Sequence, residues 1–295
     1  MEVDPKLGAA LTALREKIAG LAASEDDNKW ICSAPDDICL KFLVGHNLNV
    51  KTAFNLMQQC SKWRFEKKVD TLYERYSADS SISTRFAKAY FPATILGRDP
   101  EGRPICLNQM GVVDYPKIMQ EFGIEKVIEY SIYTCEEAMR DNPLKQNIIV
   151  LNLGQEGHPN PPFTSIFEVG GWVSALLSYV QALSGVVDPY YPETTYKMIF
   201  LNAPSMFWAS WKVAQTFLHE RTRQKVEVYS SAESSNKRMQ ELLPDSLIPY
   251  NLGGSNNLQG VGKGGRLPKD ACNDLVFVEN LEKELQNGLK DVNAK

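Results

Sequence analysis

The chain has 295 residues, of which 43% are hydrophobic and 23% are charged, and this is the composition of an ordinary soluble globular protein with ample core. The formal net charge of -4 argues against nucleic acid as the main partner. Binding to phosphate backbones requires a basic surface, and its positive charge would dominate the net charge of the protein. Six scattered cysteines without a CxxC pair and three histidines exclude the spacing of zinc ligands, so we expect no metal site and reduced thiols in a cytoplasmic protein.

Only helical patterns occur in the first part of the chain. Apolar residues recur at helical spacing over residues 4–23, and a second helix begins at Pro35, where a proline followed by two acids suits a first turn. A third helix follows the turn at residues 45–49 and carries an apolar face that ends at Trp63. The sequence therefore predicts an N-terminal helical subdomain over residues 1–85. Because the N-terminus carries acids early and lacks an apolar core, we expect no secretory signal.

Strands and helices alternate in the middle of the chain. Residues 91–96 and 104–107 flank a turn-forming segment and predict a hairpin, and the β-branched run NIIVLNL at residues 147–153 predicts a central strand. The remaining predicted elements are, in chain order, a helix over 124–140, an uncharged helix over 169–187, strands over 198–201 and 226–230, and a helix over 233–243. This alternation predicts an α/β fold over residues 86–255, with a mostly parallel sheet covered by helices.

The segment 169–187 contains no charged residue and is long enough to span a bilayer. Small and polar residues dilute its hydrophobicity, among them Gly170, Gly171 and Gly185. We therefore favour a helix buried within the protein, in which the small residues allow close packing against the sheet.

An aromatic segment follows the strand at residues 198–201 and precedes a basic turn. Its bulky residues recur at helical spacing and predict one stripe on a helix over residues 205–218, formed by Phe207, Trp208, Trp211, Phe217 and Leu218. The turn after it, residues 219–225, carries three basic residues against one acid. Taken alone, the stripe favours ordinary core packing over a cover for a ligand, because bulky aromatic residues are most often buried.

The sequence contains none of the short motifs that would make an α/β sheet an enzyme. It has no G-x-S-x-G nucleophile elbow and no G-x-x-x-x-G-K-[ST] phosphate loop. Residues 260–265 match G-x-G-x-x-G, but no strand precedes them, and Arg266, Leu267 and Pro268 stand where a helix should begin. We therefore expect no enzyme, no catalytic residue and no cofactor, and we interpret residues 256–295 as a flexible linker and a helical tail.

Three blocks of the sequence, taken together, resemble the CRAL-TRIO family of lipid-binding and lipid-transfer proteins. They are DDICLKFLVGHNLNVKTAFNLMQQCSKWRFE at residues 36–66, YYPETTYKMIFLNAP at residues 190–204 and LLPDSLIPYNLGG at residues 242–254. The resemblance covers residues 30–255 and implies the CRAL-TRIO lipid-binding fold, in which a sheet forms the floor of an apolar cavity that holds one lipid. It also implies that a mobile helix gates this cavity.

The resemblance assigns roles to two groups of apolar residues. The gate helix would carry Phe207, Trp208, Trp211 and Phe217. The lipid pocket would be lined by Ile149, Leu151, Phe167, Trp172, Leu176, Phe200 and Leu201. For the pocket residues, ordinary core packing remains the alternative.

The resemblance also implies a site for the headgroup of the lipid. The residues that bind this group in phosphoinositide-binding members correspond to Glu193, Thr222 and Lys225. A lysine can pair with a phosphate, a hydroxyl can donate to it, and the carboxylate can accept from inositol hydroxyls. Glu193 and Lys225 would equally suit a structural ion pair.

Two pairs of residues depart from the patterns of the family. His46 and Asn47 stand where phosphoinositide binders carry an Arg-Lys pair. Asn147 and Ile149 correspond to the hydroxyl side chains that serve phosphatidylcholine in members that bind both lipids. A choline lipid is therefore less expected than in those members, and recognition of phosphatidylinositol is supported in part.

The resulting expectation is a cytoplasmic protein that binds one lipid, contacts membrane surfaces transiently and transfers its cargo between them. Phosphatidylinositol is the first candidate for this cargo, and no nucleic acid is expected as a partner. Two alternatives remain. One is a protein-interaction or regulatory module on the same fold, and the other is a carrier of a sterol or another apolar small molecule.

Overall fold

The structure of the protein is a computed structural model, and it describes residues 5–78, 93–113, 115–140, 142, 146–154, 166–205 and 207–256. It shows a helical N-terminal part followed by a five-stranded sheet covered by helices. Beyond Asn256, the predicted linker and tail lie outside the described residues.

The N-terminal part is helical, as the sequence predicts. Its helices are α1 (Pro5–Ala19), α2 (Lys29–Ser33), α3 (Asp36–Gly45), α4 (Val50–Lys67) and α5 (Leu72–Ala78), with 3₁₀ turns at Asp26–Asn28 and Val69–Thr71. The Asn49 side chain caps α4 by accepting a hydrogen bond from the Thr52 N–H at 3.0 Å. The apolar faces of these helices pack into a core of their own, which includes Leu14, Ile31, Phe42, Leu43 and Met57.

A five-stranded sheet follows, in the strand order β1-β2-β3-β4-β5. The strands are β1 (Ala93–Arg98), β2 (Pro104–Asn108), β3 (Asn147–Asn152), β4 (Thr195–Leu201) and β5 (Val226–Val228). β1 and β2 form the predicted antiparallel hairpin, with an irregularity between Ile95 and Gly97, and all other neighbouring pairs are parallel. The predicted fold class, an N-terminal helical subdomain followed by a mostly parallel sheet covered by helices, is confirmed.

Helices and short turns connect and cover the strands. They are α6 (Tyr115–Met139), α7 (Ile166–Tyr190), α8 (Phe207–Ala214), α9 (Glu220–Arg223) and α10 (Ala232–Leu242), with 3₁₀ turns at Met110–Val112, Asp245–Leu247 and Tyr250–Leu252. α6 is kinked at Gly123, whose φ of 72° and ψ of 155° are not helical, so a further helical segment precedes the helix predicted from residue 124. α8 is shorter than predicted, and the predicted basic turn contains the short helix α9.

The two faces of the sheet have different neighbours. On one face Val150 and Ile199 are fully buried and pack against α10 and the segment after it. On the other face Ile149, Leu151 and Phe200 point towards α7 and α8. This division follows from the strand geometry, in which successive side chains point to opposite faces.

Helix α7 differs from its prediction. Gly170 and Gly185 face open space and do not pack against the sheet. The opposite side of the helix, which includes Trp172 and Leu176, faces the sheet across a cavity. The prediction of a buried helix is therefore wrong, because the sheet stands away from α7 and only one side of the helix is covered. By length and composition alone, residues Gly170–Tyr190 would suffice to cross a bilayer.

Arg64 joins the N-terminal helices to the α/β part. Its side chain is 9% exposed and donates from Nε to Asp70 Oδ1 at 2.7 Å and from Nη1 to Glu136 Oε1 at 2.8 Å. The Tyr191 hydroxyl donates to the same carboxylate of Glu136 at 2.5 Å. Burial alone lowers the pKa of Arg64, but the hydrogen bond and charge of Glu136 outweigh it and raise this pKa above its ordinary value. The guanidinium therefore stays charged although it is buried.

We expect Arg64→Ala to lower the free energy of unfolding by about 3–5 kcal/mol, because removing one partner of a buried ion pair leaves the Glu136 carboxylate without its charge partner. Urea unfolding followed by tryptophan fluorescence measures this change. Lys67→Ala, in the exposed last turn of the same helix, is the matched control and should change the free energy by less than about 0.5 kcal/mol. Equal losses in both variants would contradict a role for the ion pair.

Candidate functional site

A cavity of about 470 Å³ lies between one face of the sheet and the helices α6, α7 and α8. Its size is that of a small-molecule site, and its lining is mostly apolar. The predicted pocket residues that line it are Ile149, Leu151, Trp172, Leu176 and Phe200. Further apolar lining residues, which the sequence prediction missed, are Met198, Leu177, Val180, Leu183 and Val187. The period of two along β4 and the helical period along α7 would have indicated them.

The cavity is open space and not a packed core. On β3, Ile148 and Val150 face the packed side of the sheet and are 2% and 0% exposed, whereas Ile149 and Leu151 remain partly exposed. A central strand within a filled core would be buried on both faces. The cavity-facing side chains therefore lack neighbours over part of their surface, as a binding site for an apolar molecule requires.

Leu201 does not line the cavity. It is fully buried on the packed side of the sheet, together with Ile199. Because successive side chains of a strand point to opposite faces, Leu201 cannot share a face with Phe200. The prediction of Leu201 as a pocket residue is wrong for this reason. The side chain of Phe167 lies outside the described residues.

The aromatic helix α8 covers part of the cavity. Phe207 and Trp211 line the cavity and stack with their ring centroids 5.8 Å apart. Both contact Phe200 on the sheet, with ring centroids at 5.0 and 5.3 Å. Trp208 is 50% exposed, and neither it nor Phe217 belongs to the cavity lining. The four predicted gate residues therefore do not form one stripe, because Trp208 lies on the outer side of α8 and the helix ends before Phe217.

Hydrogen bonds hold the chain on both sides of α8. Before it, Asn202 donates from its side chain to Asn152 Oδ1 at 2.8 Å and from its backbone to Ser235 Oγ at 3.0 Å. After it, the His219 N–H donates to Asp188 Oδ2 at 3.0 Å. Burial raises the pKa of Asp188, and the hydrogen bond from His219 opposes this shift. A short helix between two such fixed points is suited to act as a hinged cover.

Charged side chains converge at one end of the cavity, near α9. Glu193 Oε2 accepts a hydrogen bond from Lys225 Nζ at 2.8 Å, and Glu193 Oε1 accepts one from Arg221 Nη1 at 3.2 Å. Thr222, which lies on α9 beside Arg221, lines the cavity as well. The structure thus brings together the three predicted headgroup residues, and it adds Arg221, which the sequence indicated only as part of a basic turn.

The N-terminal helices hold Glu193 in place. Its backbone has a φ of 54°, a left-handed conformation that is uncommon for a residue other than glycine. Lys41 on α3 donates from Nζ to the Glu193 carbonyl oxygen at 2.9 Å. The end of α3 is so close that a Cβ added at Gly45 would lie 3.0 Å from the Cβ of Pro192. Contacts of this kind maintain a strained backbone, and strained residues cluster at functional sites.

Two ionisable groups at this end have shifted pKa values. Burial alone raises the pKa of Glu193, but the hydrogen bonds and charges of Lys225 and Arg221 outweigh it and bring the pKa below its ordinary value of 4.5. Burial lowers the pKa of His46, and the nearby His219 and Arg221 lower it further. At neutral pH the site therefore contains an ionised Glu193, two cations and a neutral His46.

A family model for the CRAL/TRIO domain matches residues 88–254, which is more than half of the chain. The protein belongs to the CRAL/TRIO family. The family is one of lipid-binding and lipid-transfer proteins. Within the part of the chain that the structure describes, no group of three His, Cys, Asp or Glu side chains is placed to hold a metal ion.

This CRAL/TRIO protein is similar to several known proteins over most of its length. It is 24% identical over 278 residues to Protein real-time of Drosophila pseudoobscura pseudoobscura, covering 91% of this chain and 38% of that protein. It is 27% identical over 237 residues to the phosphatidylinositol/phosphatidylcholine transfer protein SFH13 of Arabidopsis thaliana, covering 76% and 35%. It is 26% identical over 230 residues to the Sec14 cytosolic factor of Schizosaccharomyces pombe, covering 75% and 74%. The chain thus spans well under half the length of the first two relatives.

Among solved structures, the crystal structure of Sfh5 matches this CRAL/TRIO chain with a TM-score of 0.65. The match covers 88% of this chain and 90% of that chain, at 17% sequence identity. At this identity the likeness shows the fold alone. The CRAL-TRIO fold that the sequence blocks implied is therefore confirmed.

We expect the ion pairs of Glu193 to make the free energy of unfolding depend on pH. Because the folded-state pKa of Glu193 lies below its ordinary value of 4.5, its contribution is fully present above that value and is lost as the pH falls through the folded pKa. The stability difference between the wild-type protein and Glu193→Gln should therefore shrink between about pH 6 and about pH 3 in a series of urea unfolding curves. A constant difference over this range would contradict stabilisation of the carboxylate by Lys225 and Arg221.

Proposed function

We propose that the protein carries one lipid in this cavity and exchanges it with membranes, with phosphatidylinositol as the first candidate for the cargo. One observation carries the proposal: an open apolar cavity of about 470 Å³ ends at a cluster of two cations and one carboxylate. The apolar part suits acyl chains, because each buried CH₂ group contributes about 0.8 kcal/mol. The charged end suits a phosphate-bearing headgroup, because lysine and arginine form strong hydrogen bonds with phosphate.

Asn147 supports an inositol headgroup over a choline headgroup. Its side chain lines the cavity and is 6% exposed, and its Oδ1 accepts no hydrogen bond from the described residues. An unpaired buried acceptor costs about 1–3 kcal/mol, so a ligand that supplies a donor gains affinity. An inositol ring offers hydroxyl donors, whereas the trimethylammonium group of choline has no N–H or O–H. Phosphatidylinositol therefore suits this position better than phosphatidylcholine.

The proposal includes the organisation of the chain and its place in the cell. Residues 1–85 would form the helical subdomain, residues 86–255 the lipid-binding domain, and residues 256–295 the linker and tail. The protein would work in the cytoplasm, with transient contact to membranes and without covalent chemistry. Its only bound group would be the lipid itself, and nucleic acid would not be a partner.

In the same proposal α8 and its flanking turns form the gate, and Trp208 is the membrane contact of the gate. Phe207 and Trp211 face the cavity, while Trp208 is 50% exposed on the outer side of the same helix. Val213, which is 45% exposed, is a second exposed apolar side chain on the same helix. An indole ring combines an apolar body with one N–H donor, and such rings favour the interface between membrane and water.

Native mass spectrometry of the purified protein, followed by lipid extraction, tests the cargo. We expect one lipid per protein, with phosphatidylinositol preferred when vesicles of mixed composition are offered. Recovery of a sterol or another apolar compound would favour the alternative carrier. A protein that takes up no lipid from any vesicle would favour a protein-interaction or regulatory module and would reject the carrier function.

We expect Leu176→Trp to lower the amount of bound lipid about tenfold, because the larger side chain occupies cavity volume that the lipid needs. Native mass spectrometry after incubation with vesicles measures the bound fraction. Gln181→Trp places the same side chain on the exposed side of the same helix and is the matched control. If Leu176→Trp loads as much lipid as Gln181→Trp, the cavity is not the binding site.

We expect Trp208→Ala to slow lipid transfer between vesicles by roughly threefold to tenfold, because less apolar surface enters the membrane interface. The amount of lipid bound at equilibrium should not change, since Trp208 lies outside the cavity lining. Phe65→Ala removes an aromatic ring of similar exposure, 52%, from α4 and should leave the transfer rate unchanged. An equal effect of both variants would contradict the assignment of Trp208 as the membrane contact.

A further inference from the structure

A second cavity, of about 300 Å³, lies between the N-terminal helices and the α/β part of the chain. Helices α2 to α5 line it on one side, and α6 and the segment before β4 line it on the other. Its size is at the lower limit of small-molecule sites. Glu193, Arg221 and Lys225 do not line it, so it is separate from the charged end of the lipid cavity.

Charged side chains of both signs line the second cavity in equal number. Three are basic and three are acidic, namely Lys41, Arg64, Arg140, Asp70, Glu74 and Glu136. Because the charges of this described lining sum to zero, a ligand with a single charge is attracted by one set and repelled by the other. A zwitterion, in contrast, can pair with both sets.

Part of this charge is already used within the protein. The Arg64 guanidinium donates to Asp70 Oδ1 at 2.7 Å and to Glu136 Oε1 at 2.8 Å. Lys41 Nζ donates to the Glu193 carbonyl oxygen at 2.9 Å. These groups form a fixed polar wall, and the groups that can bind a ligand lie elsewhere in the cavity.

Arg140 is placed to bind an anion. Its guanidinium lies over the ring of Tyr73, with Cζ at 3.8 Å from the ring centroid. Its side chain has no hydrogen bond or ion pair to the described residues. The aromatic ring orients the plane of the guanidinium and leaves its N–H groups open, and such a planar fork matches a carboxylate in two parallel hydrogen bonds.

Two carboxylates near Arg140 are placed to bind an ammonium group. Arg64 donates only to Oδ1 of Asp70, so Oδ2 remains open on a side chain that is 55% exposed. Glu74 is exposed and has no ion pair to the described residues. It lies four positions after Asp70 and lines the same cavity. An ammonium group has three donors and forms charge-assisted hydrogen bonds with such oxygens.

We infer that the second cavity binds a small zwitterion of the α-amino acid class with an apolar side chain. Its carboxylate pairs with Arg140, and its ammonium group pairs with Asp70 and Glu74. Its side chain contacts the apolar part of the wall, which includes Phe42 and Met139. The inference goes beyond the proposed carrier function, because none of the three charged residues lines the lipid cavity.

The two cavities share one wall. Tyr191 and Pro192 line both of them. Lys41 of the second cavity also binds the carbonyl oxygen of Glu193, whose carboxylate lies in the lipid cavity. A ligand in the second cavity restrains this shared segment, and we therefore expect it to slow the exchange of lipid.

The experiment titrates L-phenylalanine into the full chain by calorimetry. Two analogues keep only one of its charges: 3-phenylpropionate has no ammonium group, and 2-phenylethylamine has no carboxylate. The test variants are Arg140→Ala and Glu74→Gln. The matched controls, Arg223→Ala and Glu16→Gln, change exposed side chains of the same types that do not line the second cavity. The thermal midpoint of each variant is measured in parallel to confirm folding.

We expect L-phenylalanine to bind with a Kd below about 1 mM and each analogue to bind at least about tenfold more weakly. Arg140→Ala and Glu74→Gln should each weaken the binding of L-phenylalanine about tenfold at an unchanged thermal midpoint, and both controls should match the wild type. No binding up to about 1 mM would overturn the inference. Equal affinities of Arg140→Ala and Arg223→Ala would also overturn it.

A transfer assay tests the shared wall. Saturating L-phenylalanine should slow the transfer of phosphatidylinositol by the wild type at least about twofold, and this effect should be absent in Arg140→Ala. Binding of L-phenylalanine with unchanged transfer would overturn the coupling through residues 191–192. A protein that binds L-phenylalanine but transfers no lipid would support the second site and reject the carrier function.

Discussion

The carboxylate of Glu193 joins parts of the chain that are far apart in sequence. It accepts hydrogen bonds from Lys225 and Arg221, and the carbonyl oxygen of the same residue accepts one from Lys41 on α3. Removing these donors would leave a largely buried carboxylate without partners, which is costly. The positions of the N-terminal helices, the loop before β4 and the helix α9 therefore depend on one another. The charged end of the cavity exists only when all three are in place.

The open face of the sheet lines the same cavity as this charged end. Side chains such as Ile149 and Leu151 lack packing partners there, so the folded protein forgoes dispersion and hydrophobic energy that a solid core would gain. The packed face, where Val150 and Ile199 contact α10 and the segment after it, supplies the rigid support that an open face needs. A lipid in the cavity would restore the missing contacts and stabilise the folded state by mass action.

The resemblance to the family predicted part of the site and was wrong where a single residue or a single helix turn decides. The period of two identifies Ile149 and Leu151 as neighbours on one face, and the same rule separates Leu201 from Phe200. The resemblance assigned both Phe200 and Leu201 to the pocket, whereas the structure places these two neighbours on opposite faces of the sheet. Trp208 was placed in the aromatic stripe because helical spacing alone does not show which side of a short helix faces the core.

The sequence by itself determined the order of helices and strands, because hydrophobic periods and turn signals are local. It also determined the family, because the three blocks that resemble the family stand in the family's order along the chain. Only the tertiary structure decided that one face of the sheet stays open and that α7 covers it from one side. It also decided which cation stands beside Asn47. Arg221 is 174 positions away from that residue, and no local pattern records a contact between side chains so distant in sequence.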